Sequence, residues 1–459
     1  MSPPPRLFGT DGIRGAFNEP PLDRDTVQRV AWEIGRRAVQ DAAAVGGARV
    51  VVGGDTRDST SELATWVVGA LQAAGADAVW LGVIPTPGVA FAVRELEAAA
   101  GVVISASHNP HPDNGIKILD SSGFKLGVTV ERELEARVAA GAKRELSPAV
   151  LSTVAEPIDR YAASLAAAAR EGLGARPLEG LRIALDTGNG AATFLAPPLM
   201  AELGAVVPVQ LGADPDGTNV NLGCGSTAPE ELARQVVAAG CDVGFAFDGD
   251  ADRVVMIDDT GAVRDGDEIL FVWARDLLER GLLEPPEVVA TTMSNLGLAR
   301  ALRGVGITLH RCDVGDREVV EALRTRGLML GGESSGHVVH LGLSSTGDGL
   351  LTALSVARIV ATGGRSVSDL LGGFERFPQV LRNVRVRHKP AFETLAPVER
   401  AARDIGQRLG DEGRLVLRYS GTEPLARIMI EGPDSDSVMA WSEELAAVIE
   451  REIGLGACE

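Results

Sequence analysis

Short apolar runs that each break off into a loop of Ser, Asp, Asn or Gly recur along this chain, and they alternate with helical patterns. This alternation constrains the fold more than any other feature, because it is the signature of an α/β protein. Residues 49–54 end in Asp55-Thr56-Arg57. Residues 101–104 run into Ser105-Ala106-Ser107-His108-Asn109-Pro110. Residues 181–185 end in Asp186-Thr187-Gly188-Asn189-Gly190, and 243–247 in Asp248-Gly249-Asp250-Ala251-Asp252-Arg253. Further apolar runs at 288–292 and 328–330 lead into two more polar loops. Alanine-rich, charged patterns predict helices over about 129–143 and 161–170. From 66 to 93 the chain is most apolar, but Gln72, Asp77, Pro85 and Pro87 interrupt it. It reads as a core helix followed by a strand and a loop, not a membrane span. The tail differs: strands over 414–418 and 427–431 and a helix over 435–453 predict a small α+β domain.

A chain of 459 residues divides into several domains, and 45% hydrophobic content suffices for large cores. The net charge of −19 argues against nucleic acid or an anionic membrane as partner. Lysine occurs at four positions only, Lys117, Lys125, Lys143 and Lys389, so arginine carries most of the positive charge. Cys224, Cys241, Cys312 and Cys458 lack metal-type or redox spacing and read as thiols of a cytoplasmic protein. The opening Met1-Ser2-Pro3-Pro4-Pro5 has no apolar core of a secretory signal.

Open α/β sheets gather ligands at the C-terminal ends of their strands, which is where the polar loops fall. Ser107 follows a buried-type strand, and the Asn109-Pro110 turn fixes the backbone beyond it. Asp248, Asp250 and Asp252 alternate, which on an extended segment directs three carboxylates to one side. At about 5 Å apart they repel by roughly 3 kcal/mol per pair at an effective dielectric near 20. A hard cation, Mg²⁺ or Ca²⁺, removes that cost. An EF-hand is excluded, since its sixth position is Arg253 and its twelfth Asp259. A solvated acidic turn is the competing reading. The run Gly332-Glu333-Ser334-Ser335-Gly336-His337 matches the hydrolase nucleophile elbow, but no acid and histidine of distinctive context follow it. The same residues suit sugar hydroxyls. The segment Arg418-Tyr419-Ser420-Gly421-Thr422-Glu423, with Arg427 beyond, reads as a cradle for an anion.

Taken together and in this order, these motifs resemble the α-D-phosphohexomutase superfamily over nearly the whole chain. Phe8-Gly9-Thr10-Asp11-Gly12-Ile13-Arg14-Gly15, Thr292-Met293-Ser294-Asn295-Leu296-Gly297 and Ser345-Thr346-Gly347-Asp348-Gly349 are most similar to its amino-sugar branch. The resemblance implies three similar α/β domains with mixed sheets and a smaller C-terminal α+β domain around a central cleft. The expected boundaries are 1–152 with the phosphoserine loop, 153–253 with the metal loop, 254–368 with the sugar-recognition loop, and 369–459 with the phosphate-binding loop.

The resemblance further implies that Ser107 carries a phosphoryl group. Asp248, Asp250 and Asp252 would hold one Mg²⁺, with a phosphate oxygen on Ser107 completing the site. Glu333 and Ser335 would contact sugar hydroxyls. Arg418, Ser420, Gly421, Thr422 and Arg427 would hold the phosphate that does not react. Arg14, Lys117 and His337 would stand near the transferred group. Lys117 or His337 is expected to be the base, with Lys117 preferred because a neighbouring arginine and the metal would depress its pKa. The implied reaction interconverts D-glucosamine 6-phosphate and D-glucosamine 1-phosphate through glucosamine 1,6-bisphosphate, towards UDP-N-acetylglucosamine. The expected partner is a small phosphosugar, and a homodimer is consistent with the resemblance. Three positions depart from the branch's commonest pattern: Ser334 stands where glutamine is usual, Ala251 where glycine is, and Tyr419 where lysine is. None is a proposed ligand. The alternatives are the same chemistry on mannose or glucose phosphate, a phosphosugar binder without turnover, and a serine hydrolase using Ser334.

Overall fold

The computed structural model describes residues 6–9, 11–45, 47–141, 146–420 and 423–455. They form two compact units, residues 1–291 with 310–372, and residues 292–309 with 373–459. Three sheets belong chiefly to the first. In the first sheet the strands are β1 (Ile13–Ala16), β2 (Arg49–Gly54), β3 (Asp77–Val83), β4 (Ala100–Ile104) and β5 (Asp113–Asp120). Their order is β1-β5-β4-β2-β3, with β3, β2 and β4 parallel, and β5 antiparallel to both of its neighbours, β4 and β1. The second repeats the plan with β6 (Arg182–Asp186), β7 (Val206–Leu211), β8 (Val243–Phe247), β9 (Val254–Ile257) and β10 (Val263–Arg264), in the order β10-β9-β8-β6-β7. The third has β11 (Glu287–Thr291), β12 (Thr308–Cys312), β13 (Leu330–Gly332) and β14 (Val338–His340), in the order β12-β11-β13-β14.

The strand period decides how the first sheet is covered. Val50 and Val52 face one way and join Leu63, Trp66 and Val30 from the helices Asp58–Ala73 and Arg24–Val45. Val51 and Val103 face the other way and join Val89 and Val93 from the helix Thr86–Glu95. With both faces covered, the strands are apolar throughout. Each fully buried valine or leucine contributes about 1.5–3 kcal/mol.

The second unit carries a three-stranded antiparallel sheet of β15 (Gln379–Arg385), β16 (Arg414–Tyr419) and β17 (Leu425–Glu431), in the order β15-β17-β16. The Thr292–Gly297 motif is built into this unit. Asn295 caps the helix Leu296–Gly304 through Gly297 N, and its amide exchanges hydrogen bonds with the backbone of Phe377. Buried Glu431 pairs with Arg414, which also donates to the carbonyls of Thr292 and Ser294 at 2.9 Å. No helix among the described residues is long and apolar enough to cross a membrane.

Most of the apolar runs are strands, but three expectations change. The loop after the strand is only two residues long, and 86–93 are helical: Pro87 sits in the first turn of the helix Thr86–Glu95, where its missing N–H costs nothing. The run at 328–330 moves forward to Leu330–Gly332, where Gly331 and Gly332 give up side chains to let β13 lie against β11 and β14. The helix expected over 129–143 is Val128–Ala140, ending before Gly141.

Candidate active site

Ser107 and the Asp248 loop leave adjacent sheets at the C-terminal ends of β4 and β8, and the first unit brings them together. Ser107 is fully buried, with φ +52° in the left-handed region. Its Oγ donates to Asp248 Oδ2 at 2.6 Å. Exposed His108 lies beside it, with Nδ1 3.3 Å from Ser107 Oγ and accepting from Arg253 Nη1 at 2.8 Å. Partial burial, then the charges of Arg253 and Arg14, lower the His108 pKa to about 4. The ring is therefore neutral at pH 7, an acceptor for Arg253 rather than an acid.

The acidic loop is not extended, contrary to the sequence expectation. Residues 248–253 form a turn in which Ala251 takes φ +53°, so the carboxylates converge by curvature rather than by strand alternation. A Cβ in that left-handed region costs about 1 kcal/mol relative to glycine. Gly249 is fixed for a different reason: a Cβ there would stand 2.7 Å from the Ser107 carbonyl oxygen. Asp248, Asp250 and Asp252 are all buried, and each offers an oxygen within 4.8 Å of the others. Asp250 Oδ2 accepts from Thr86 Oγ1 at 2.5 Å and from Lys117 Nζ at 2.8 Å, and Asp252 Oδ2 from Lys117 at 3.0 Å. Asp250 Oδ1 and Asp252 Oδ1 are buried without a hydrogen-bond partner. Buried, unpartnered carboxylate oxygens are costly unless a cation takes them, and an all-oxygen donor set suits Mg²⁺. Burial, then the charges of Asp252 and Asp250, push the Asp248 pKa well up. Burial acts the same way on Asp252, but Lys117, His337 and Arg253 outweigh it and hold that carboxyl well below its ordinary range.

Lys117 departs from expectation. It is 1% exposed on β5, with Asp250, Asp252 and, at 3.4 Å, Asp11 around its ammonium. Burial opposes charge, yet Asp11, Asp250 and Asp252 outweigh it and raise the pKa well above the usual lysine range. The groups nearest its ammonium are carboxylates, two of them the expected metal ligands, whereas the sequence expectation counted an arginine and the metal. Asp11 also pairs with Arg14 and Lys125, and Lys125 with Asp316. Arg14 Nη1 donates to Ala106 O and Asn109 Oδ1, both at 2.9 Å, so it grips the Ser107 loop directly.

His337 is buried, its Nδ1 3.9 Å from Asp252 Oδ1. Gly347 N–H points at its Nε2 at 3.0 Å, which leaves Nδ1 as the protonated nitrogen of the neutral ring. Burial opposes a second proton, while Asp252, Asp316 and Glu333 favour it and raise the pKa. That proton would have to displace the Gly347 contact. The close approach explains Gly347, since a Cβ there would lie 2.4 Å from the ring. Neighbouring Asp348 caps the helix Gly349–Gly363 and accepts from Tyr161 Oη at 2.9 Å. Burial, opposed by these hydrogen bonds, raises its pKa to about 6. Its folded-state pKa lies above the unfolded value of about 4, so between them the folded state binds more protons and stability falls as pH rises. Asp348→Asn should flatten that fall, by up to about 3 kcal/mol between pH 4 and 6. Thermal unfolding of both proteins across this range checks it, and equal slopes would refute it.

Glu333 and Ser335 lie in the turn between β13 and β14. Glu333 is half-buried, with Oε1 accepting from Gly315 N at 3.1 Å, and Ser335 is exposed. The chain here is strand, turn, antiparallel strand. A nucleophile elbow needs a helix after the serine, so the Ser334 hydrolase alternative fails. In the second unit, Arg418 faces Arg427 across the β16–β17 ladder. Arg427 Nη2 reaches Ser420 Oγ at 3.4 Å and Glu423 at 2.7 Å, and Lys389 Nζ donates to Ser420 O at 2.6 Å. Tyr419 stacks on Phe392 with ring centroids 4.1 Å apart. Gly421 and Thr422 lie outside the described residues. Sequence reading missed four residues: Lys389, whose scarcity as a residue type was the one signal; Thr86; Arg253, adjoining the aspartates; and Arg57.

Four domain models match the chain in order: phosphoglucomutase/phosphomannomutase alpha/beta/alpha domain I at residues 5–145, domain II at 159–261, domain III at 265–377 and the C-terminal domain at 381–448. A phosphoglucosamine mutase of Solibacter usitatus is 44% identical over 98% of this chain and 99% of its own. One from Bdellovibrio bacteriovorus is 41% identical over 98% and 99%. Among solved structures, a phosphoglucomutase/phosphomannomutase family protein of Burkholderia thailandensis superposes with a TM-score of 0.80 at 25% identity, over 97% of both chains. With the domain series complete and identity above two fifths along nearly the full length, the chain belongs to the phosphoglucomutase/phosphomannomutase family.

Proposed function

We propose that this protein is a phosphoglucosamine mutase that interconverts D-glucosamine 6-phosphate and D-glucosamine 1-phosphate through a phosphoserine at Ser107. The supporting observation is the 2.6 Å contact of Ser107 Oγ with Asp248, which sets a nucleophile inside a buried three-carboxylate cluster. Ser107 gives its phosphoryl group to O1 of the sugar 6-phosphate. The bisphosphate then turns end for end and returns its 6-phosphoryl group to Ser107. A Mg²⁺ held by Asp248, Asp250 and Asp252 supplies charge neutralisation at the phosphoryl group. Lys117, ringed by Asp11, Asp250 and Asp252, balances the aspartates, and the proton of the attacking hydroxyl passes to His337 Nε2 as the Gly347 N–H contact opens. Arg14 and Arg253 flank Ser107, each about a fifth exposed, and offer donors to the incoming phosphoryl oxygens. Glu333 and Ser335 take sugar hydroxyls. Arg418, Ser420, Gly421, Thr422 and Arg427 take the other phosphate, with Glu423 yielding Arg427 to it.

Glu333 and Ser335 meet hydroxyls common to glucosamine, glucose and mannose, so discrimination at C2 comes from a contact to the amine. One such contact is worth about tenfold to a hundredfold. Turnover of glucosamine, glucose and mannose 6-phosphates is therefore expected to give the highest kcat/KM for glucosamine 6-phosphate, with residual activity on the others. A higher value for mannose or glucose would assign the chain to that substrate instead.

A further inference from the structure

Arg57 follows β2 and is 2% exposed. Its guanidinium has five N–H donors and uses all of them. Nε donates to Asp55 Oδ2 at 3.0 Å. Nη1 donates to Pro110 O at 2.7 Å and Asp113 O at 2.8 Å. Nη2 donates to Ser107 O at 3.1 Å and Asn109 O at 2.7 Å. Asp55 accepts in turn from Ser105 Oγ at 2.5 Å, and Ser105 Oγ accepts from Ser107 N at 2.9 Å. Both backbone polar groups of Ser107, its N–H and its carbonyl, thus end on the Asp55–Arg57 pair. Asn221 Nδ2 adds a second donor to the same carbonyl at 2.9 Å.

This network meets a conformational need. A serine at φ +52° sits in a sparsely populated region that costs about 1 kcal/mol or more and persists only where its surroundings over-determine it. We propose that Arg57, braced by Asp55, is the positioning residue of the phosphoryl carrier: it clamps four carbonyls of the loop and so fixes the direction of Ser107 Oγ toward Asp248. Arg57 touches neither the Ser107 hydroxyl nor the three aspartates of the cluster. Its effect passes through the backbone. Lysine cannot replace it, because an ammonium has three donors and no planar fork to span four carbonyls. The inference rests on the reading of Ser107 as the phosphoryl carrier.

The test is Arg57→Lys, assayed for kcat, KM, far-UV circular dichroism and thermal unfolding beside the wild type. With the fold retained, kcat should fall by about 10²-fold, the effect of a misplacement of about 1 Å, while KM changes by less than about threefold. Uptake of phosphate on Ser107 from a hexose 1,6-bisphosphate, followed by intact mass, should slow in proportion. A wild-type kcat in R57K, or a loss no larger than the unfolded fraction explains, overturns the proposal. If R57K does not fold, Asn221→Ala decides. This partly exposed side chain holds the same carbonyl, and its loss should lower kcat by about tenfold at unchanged KM; an unchanged kcat would overturn it. A wild type without turnover overturns the functional reading and this proposal together, whereas an active wild type with an unaffected R57K overturns this proposal alone.

Discussion

Replacing Ser107 by alanine is expected to lower kcat by at least about 10⁴-fold, the scale on which loss of a covalent nucleophile acts. The hydroxyl is the atom that carries the phosphoryl group between the two ends of the sugar, and no neighbouring group can stand in for it. His108 Nδ1 accepts from Arg253, which leaves Nε2 carrying the ring proton, and Ser105 Oγ is committed to Asp55. The fold should survive. The Ser107 side chain makes a single close hydrogen bond, to Asp248, whereas its backbone is held by Ser105, Arg57 and Asn221. An alanine costs little more than serine at that φ. Intact mass after incubation with a hexose 1,6-bisphosphate should show one phosphate on the wild type and none on the variant. An S107A enzyme with wild-type turnover would remove the covalent mechanism.

Asp250→Asn is the second. It should lower kcat by about 10²–10³-fold, equivalent to a few kcal/mol of lost charge stabilisation. Mg²⁺ should raise the thermal unfolding temperature of the wild type and leave that of the variant nearly unchanged, since a ligand that binds only the folded state stabilises it by mass action. Two features make Asp250 the sensitive position. Its Oδ1 is buried and unpartnered, while Oδ2 holds Thr86 and Lys117. Asparagine thus removes the charge of a metal ligand and also leaves the buried Lys117 ammonium with one fewer counter-charge. Removing divalent metal with a chelator should abolish wild-type turnover, and Mg²⁺ should restore it. Normal activity and an undiminished Mg²⁺ shift in D250N would show that the cluster is not the metal site.

Residue order by itself determined the α/β alternation and the candidate loops. β-branched runs such as Val50-Val51-Val52 have one good use, a strand covered on both faces, and the polar loops after β4 and β8 follow from strand ends. The chemical inventory was legible for the same reason: a serine, three aspartates and an arginine hairpin are visible as residue types. What those groups do to one another was not. The aspartates meet because the loop turns at Ala251, not because they alternate. Lys117 is charged because Asp11, more than a hundred residues earlier, and Asp250 and Asp252, more than a hundred later, reach its ammonium. Electrostatic energies depend on distance and burial, and neither can be read from spacing along a chain. Arg57 shows the same limit. As one of many arginines after one of many strands it carried no signal, and only the tertiary structure, by folding the 107–113 loop back over β2, set four carbonyls around its five donors.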